Sequence, residues 1–280
     1  MEYVTLGRTN LMVSCSALGT KLLQDVSLED SVEILNTAFK GGINFFDTSS
    51  AYSGVEEKIG KTISLAEKEI EVFASSSSND FEIQRAAALL PLRKNLILSS
   101  GTKAKTAKEA SIELEKSLEY LSTDCIDIYH ITNQDYLPIP GTDDGLYNEM
   151  LIARRSGKIR FIGFTTHNLE LAKEAIDSGL YDVLRYPLNI FSTEEELNLI
   201  KQAEKADVGI TAIKTLASGK IENVPIAFGF LRQNAKVISV WGARNIDEIQ
   251  KLLYFESNPP NIDDQFLAEL EELKNQTKNQ

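Results

Sequence analysis

Cysteine is almost absent from this chain: Cys15 and Cys125 are its only two, too few and too far apart for a disulfide scaffold or a cysteine-based zinc cluster. Both fall where strands are expected and read as buried free thiols. Positive charge is also short. With 29 Lys and Arg against 41 Asp and Glu the net charge is −12, which argues against a general nucleic-acid or anionic-membrane surface while leaving room for a local phosphate pocket. No apolar run approaches a membrane-spanning length, and Met1-Glu2-Tyr3-Val4 offers neither a basic region nor an apolar core of the leader type. These shortages point to a reducing cytoplasm, with no nucleic-acid or membrane partner and no metal. They say nothing of oligomeric state.

What the chain does have is apolar material, 42% of 280 residues, enough for one large core; a single domain spanning 1–280 is the expectation. Apolar strand-like runs alternate with amphipathic helical runs, the signature of βα units on a parallel sheet. Eight such strands are expected, at about 16–19, 43–46, 96–100, 126–131, 159–164, 182–186, 208–213 and 237–241, a number that favours a closed (β/α)8 barrel. Ahead of them, 3–6 and 11–14 flank Gly7-Arg8-Thr9-Asn10 and read as a β-hairpin capping the barrel floor.

Ser27 or Glu29-Asp30 caps a first helix in which Val32, Leu35, Ala38 and Phe39 recur at helical spacing. A helix over 106–120 places Ala110, Leu114 and Leu118 on one face and leaves Glu113 and Lys116 as a solvated pair. The stretch 66–95 is longer than a helix-to-strand connection needs. Its serine run, Ser75 to Ser78, reads as a loop, and 81–92 as an extra helix closed by Pro91.

The residues with chemistry cluster at strand ends. Ile43, Phe45 and Phe46 are strand-like and apolar, and they deliver Asp47 to a rim; a turn then swings Tyr52 back beside it. Thr102-Lys103 follows another apolar run, so an ammonium can join the carboxylate and the phenol. Taken singly these are a cap, a loop tyrosine and a surface lysine. Together they suit proton transfer to a carbonyl. Lys105 competes with Lys103, because alternate residues of an extended segment share a face.

The ordered series Leu18-Gly19-Thr20, Asp47-Thr48 with Tyr52, Glu56 to Gly60, Thr102-Lys103, Ser117-Leu118 with Leu121, Gly157-Lys158 with Arg160 and Ile162-Gly163, and Gly242-Ala243-Arg244 resembles the aldo-keto reductase family. Its members are NADPH-dependent carbonyl reductases on a TIM barrel. The resemblance implies Tyr52 as the acid that protonates the carbonyl oxygen, Lys103 as the cation that lowers the phenol's pKa, and Asp47 as the lysine's anchor. It implies NADP(H) held by Gly19, Thr20, Thr165, Thr166, Arg185, Lys214, Leu216, Gly242, Ala243, Arg244 and Glu248. Among these, Arg244 at the start of the last barrel helix faces the adenosine 2′-phosphate and favours NADP over NAD.

Several positions depart from the family pattern. The histidine that orients the substrate carbonyl falls five residues after Asp127, where this chain has Thr132, whose hydroxyl donates one hydrogen bond but carries no proton near neutral pH. His130 shares that face about 6–7 Å deeper and reads better as a core histidine than as a site residue. Thr165-Thr166 stands for a serine and an asparagine that bind the nicotinamide carboxamide. Arg185 stands for a glutamine; it adds a charge and removes the acceptor, and so needs an anionic partner or an altered cofactor pose. Lys214 replaces a ring-stacking aromatic, with a solvent-facing lysine the other reading, while Trp241, Tyr136 and Leu137 are compatible with substrate contact or rim packing. The reading that follows is an NADP(H)-dependent oxidoreductase interconverting a small-molecule carbonyl and an alcohol. The alternative is a cofactor-binding pseudoenzyme or regulatory protein with lost or weak reductase activity.

Overall fold

A computed structural model describes residues 1–278 apart from Ser78, Pro91 and Gln134. The chain opens with an antiparallel hairpin of β1 (Tyr3–Thr5) and β2 (Met12–Ser14). Eight parallel strands follow: β3 (Ser16–Gly19), β4 (Phe45–Asp47), β5 (Ile97–Thr102), β6 (Ile126–Thr132), β7 (Ile159–Thr165), β8 (Val183–Pro187), β9 (Gly209–Ile213) and β10 (Val237–Gly242). They close in sequence order, β10 pairing with both β9 and β3, so the expected (β/α)8 TIM barrel with its N-terminal hairpin is what the chain forms.

The barrel interior is built in two chemically different halves. Below, Ala17, Phe45, Ile97, Ile128, Val183, Ile238 and Val240 fill the lumen with apolar side chains, and Leu6, Leu11 and Val13 of the hairpin seal it from the floor. Gly7 makes that seal possible. Its φ is +48°, and a Cβ there would come within 2.7 Å of the Val208 carbonyl carbon, so only glycine lets the hairpin turn lie against the start of β9. Above, the inward positions turn polar: Asp47, Ser99, His130, Thr165, Arg185 and Thr211. Apolar packing below fixes the strands, and the polar half is carried at their C-terminal ends, where sites on this architecture are built.

Helices α1 (Leu28–Lys40), α2 (Val55–Ser76), α3 (Asp80–Leu89), α4 (Ala107–Tyr120), α5 (Leu146–Arg155), α6 (Leu169–Asp177), α7 (Glu194–Lys205), α8 (Val224–Arg232), α9 (Ile246–Ser257) and α10 (Asp264–Lys278) accompany the strands. Ser27 caps α1 by accepting from Asp30 N at 3.0 Å. Its buried stripe is Ser31, Ile34, Leu35 and Ala38, so Val32 and Phe39 lie at the edges of the face expected from the sequence. The Glu56 to Gly60 motif proves to be packing chemistry as well. A Cβ at Gly60 would be 2.9 Å from the Leu121 carbonyl carbon, so the glycine lets α2 close on the end of α4, and buried Glu56 accepts from Ser100 Oγ at 2.6 Å and Ser117 Oγ at 3.0 Å.

Two expectations need correction. Ser75 and Ser76 are helical, the last two residues of α2, with their hydroxyls bonded back to the carbonyls of Glu71 (2.8 Å) and Phe73 (3.1 Å). The extra helix is present as α3, ending at Leu89; Ser78 and the closing Pro91 lie outside the described residues. Glu113 is not a partner of Lys116 at the surface. It accepts from Thr102 Oγ1 at 2.6 Å and Ser50 Oγ at 2.8 Å, tying α4 to the end of β5 and to the loop after β4.

Candidate active site

Asp47 ends β4 with its carboxylate inside the barrel, 3% exposed. Its Oδ1 accepts from Ser99 Oγ at 2.8 Å, the residue directly opposite on β5, and from Arg185 Nη1 at 2.7 Å, reaching across from β8. Arg185 is held at two further points: Nη1 donates to the Thr48 carbonyl at 3.3 Å and Nε to Thr165 Oγ1 at 2.9 Å. Its remaining nitrogen, Nη2, has no hydrogen-bond partner among the described residues and is not sealed from solvent.

The cation beside Asp47 is therefore Arg185 and not Lys103, which corrects the pairing expected from the sequence. β5 continues two residues past its expected end, and its inward position at the rim is Gly101, where a Cβ would fall 2.7 Å from the His130 carbonyl oxygen. No side chain enters from there. Lys103 has already left the sheet and is exposed, and Lys105 pairs instead with Asp135 at 3.7 Å. The charge requirement noted for Arg185 is met by Asp47 across the lumen, a distance in sequence of 138 residues that no local pattern reveals.

Tyr52 sits in the turn after β4, its backbone N donating to the Ser49 carbonyl at 2.9 Å and its ring against the core. Burial raises the phenol above its ordinary 10.0; Arg185 pulls it down and Asp47 pushes it up. The charges that act on Tyr52 are thus the two members of the buried pair.

His130 is sealed in the wall. It is fully buried, paired in register with Gly101 on one side and Gly163 on the other, and a Cβ at Gly163 would collide with its imidazole ring. Nδ1 lies 3.3 Å from Thr165 Oγ1, while Nε2 has no partner. Burial, reinforced by Arg185, drives its pKa well below 6.5 and keeps it neutral. Thr165 Oγ1 thus stands between Arg185 Nε and His130 Nδ1. The result is one chain of contacts, Ser99, Asp47, Arg185, Thr165 and His130. Ser99 was missed by the sequence reading; its signal was that it shares the inward face of β5 with Ile97.

The expected cofactor residues separate into three groups. Thr165, Thr166 and Arg185 are buried, and the Thr165 hydroxyl is engaged on both sides, so it does not stand free for a carboxamide as expected. Thr20 is buried too, donating from Oγ1 to the Asp47 carbonyl at 2.9 Å, next to half-buried Gly19. Lys214 follows β9 in a left-handed conformation, φ 54°, exposed at the mouth, with Leu216 half-buried behind it. At the far end Gly242 and Arg244 are exposed and Ala243 is buried. Arg244 N donates to Glu248 Oε2 at 2.8 Å, while Asn245 Oδ1 accepts from Glu248 N at 2.9 Å and caps α9. Thr132, half-buried at the end of β6, is nearer the mouth than His130. Trp241 donates to Ser239 Oγ at 2.7 Å and packs on Phe228 of α8, which makes it a packing residue, while exposed Tyr136 donates to Asp144 at 2.7 Å.

A closed parallel barrel thus carries a buried carboxylate–guanidinium pair at the C-terminal ends of its strands, with a phenol in the loop after β4, where sites on this architecture are built. The chain belongs to the aldo/keto reductase family, whose sequence profile matches residues 17–224. It is 27% identical over 238 residues to L-galactose dehydrogenase of Arabidopsis thaliana, covering 78% of this chain and 66% of that protein. It is 26% identical over 227 residues to aldo-keto reductase YhdN of Bacillus subtilis, covering 78% and 63%. The alignments thus span less than two thirds of either relative. Among solved structures, aldo-keto reductase AKR11C1 from Bacillus halodurans superposes with a TM-score of 0.76 at 16% identity over 98% of this chain and 96% of that one. An aldo/keto reductase from Klebsiella pneumoniae in complex with NADP and acetate gives 0.71 at 19%, over 97% and 95%. These structural likenesses speak for the fold.

Proposed function

We propose that this protein is an NADP(H)-dependent oxidoreductase that interconverts a small-molecule carbonyl compound and its alcohol. The observation that carries the reading is Tyr52 placed within the field of the buried Asp47–Arg185 pair at the barrel mouth. Family membership supplies the reaction class, and the Klebsiella pneumoniae relative supplies the precedent of NADP on this fold.

The phosphate end fits the cofactor. Arg244 enters no ion pair among the described residues, and the Ile246 and Asp247 amides of the first turn of α9 have no hydrogen-bond partner there, so a phosphate would meet a guanidinium and two donors. Glu248 would stand close by as the residue bracing the Arg244 backbone. The carboxamide end is altered, since the Thr165 hydroxyl is already engaged by Arg185 and His130 and Lys214 stands where a ring-stacking aromatic is expected. When bound, the cofactor supplies the hydride. The substrate carbon gains that hydride, its oxygen gains the Tyr52 proton, and the phenolate is reprotonated from solvent; alcohol oxidation runs the same proton back. Thr132 adds a neutral hydroxyl near the carbonyl.

The test is a fluorescence titration with NADPH and NADH, followed by an aldehyde panel read at the cofactor absorbance, on the parent and Tyr52→Phe. NADPH should bind tighter than NADH, and Tyr52→Phe should keep that binding while losing ~10²–10⁴-fold in reduction. No binding of either dinucleotide, or full activity in Tyr52→Phe, would overturn the reading.

A further inference from the structure

Arg185 has a geometry that neither a simple ion pair nor a cofactor contact requires. Three contacts fix the guanidinium: Asp47 Oδ1 at 2.7 Å, Thr165 Oγ1 at 2.9 Å and the Thr48 carbonyl at 3.3 Å. They engage Nε and Nη1 and leave Nη2 alone without a partner among the described residues and not sealed from solvent, with the side chain only 5% exposed. A carbonyl oxygen protonated by Tyr52 needs a second donor as charge develops on it. His130 cannot supply it, being fully buried between two glycines, and Thr132 offers one neutral hydroxyl.

Resting on the reductase reading above, we infer that Arg185 Nη2 donates a hydrogen bond to the substrate's carbonyl oxygen, so that one guanidinium both activates the carbonyl and holds the positive charge beside Tyr52. The guanidinium keeps all its protons; Tyr52 alone transfers one. Preorganisation is what makes this effective, because Asp47, Thr165 and Thr48 hold the donor before the substrate arrives and no reorientation is needed during hydride transfer. The arrangement also explains why a lysine at the end of β5 is not required next to Asp47.

The experiment measures single-turnover hydride transfer from NADPH to a series of para-substituted benzaldehydes in the parent, Arg185→Gln and Arg185→Lys. Arg185→Gln should slow reduction by ~10²–10³-fold with NADPH affinity little changed, and its rates should depend more steeply on electron-withdrawing substituents, because an unassisted oxyanion leans harder on the ring. Arg185→Lys should recover part of the rate. Added guanidinium ion should accelerate Arg185→Gln and leave the parent unaffected. In the oxidation direction, loss of Arg185 should move the rise of rate to higher pH, since the Tyr52 phenol loses the group that pulls it down. If Arg185→Gln does not fold, the Asp47→Asn/Arg185→Gln double variant removes both charges and carries the same rate and substituent tests. Parental rates in a folded, NADPH-bound Arg185 variant overturn this inference alone. So does a slowed variant with an unchanged substituent dependence, which would leave Arg185 a purely structural ion pair. A parent that binds NADPH yet reduces none of the aldehydes overturns the reductase reading and this inference with it.

Discussion

At the scale of single residues the governing fact is that two buried charges, Asp47 and Arg185, compensate each other in the lumen. Breaking such a pair from one side leaves a desolvated charge and costs about 3–5 kcal/mol, whereas replacing both partners with neutral residues costs far less. Arg185→Met should therefore destabilise the fold by about that amount, and Asp47→Asn/Arg185→Met should be the more stable of the two by chemical denaturation; equal losses would mean the pair is not coupled. His130 gives a second residue-scale expectation. Its folded pKa is depressed well below 6.5, so below that pH the unfolded chain binds a proton the folded one refuses, and stability falls as pH drops. Between pH 7 and 5.5 the parent should lose about 1 kcal/mol more than His130→Asn. Matching pH slopes would show that the imidazole is already charged in the fold.

At the scale of elements, β6 approaches β5 and β7 through Gly101 and Gly163, whose missing side chains make the slot for His130. A methyl group at Gly163 would meet the His130 imidazole, and that ring is held by Thr165. Overpacking of this kind costs about 1–3 kcal/mol. Gly163→Ala should fall in that range, and Gly163→Ala combined with His130→Ala should restore part of the loss, since the obstructing ring is gone. Additive effects would place the strain in the strand backbone instead. The same crowding keeps side chains of β5 out of the rim, which is how a residue-level substitution of glycine decides which element delivers the cation.

Across the whole molecule, the net charge of −12 coexists with basic groups concentrated at the strand C-termini: Arg185 in the lumen, Lys103 and Lys214 at the mouth and Arg244 at the start of α9. A ligand that binds only the folded state stabilises it by about 2.7 kcal/mol at a hundred times its Kd. NADPH should therefore raise the melting temperature more than the same concentration of NADH. Arg244→Ala should erase most of that difference, and added salt should shrink it, because an exposed phosphate contact is screened. Equal shifts by both dinucleotides in the parent would argue that Arg244 does not face the 2′-phosphate. Among the described residues no helix is long and apolar enough to cross a membrane.

The sequence by itself determined the barrel and its polarity. Alternation of apolar strands and amphipathic helices is a local signal, and so are the strand-end positions of Asp47 and Tyr52, because side-chain parity and turn chemistry are written within a few residues. The serine run was misjudged for the same reason in reverse, since hydroxyl bonding to the preceding turn is as available to a helix as to a loop. What only the tertiary structure decided is which cation meets Asp47. Lys103 is nearer along the chain, yet Arg185 reaches the carboxylate, because closing the sheet brings β8 across the lumen from β4 while Gly101 leaves the β5 rim bare. Pairing across a closed barrel depends on register and shear summed over every intervening strand, a quantity that no stretch of sequence encodes locally.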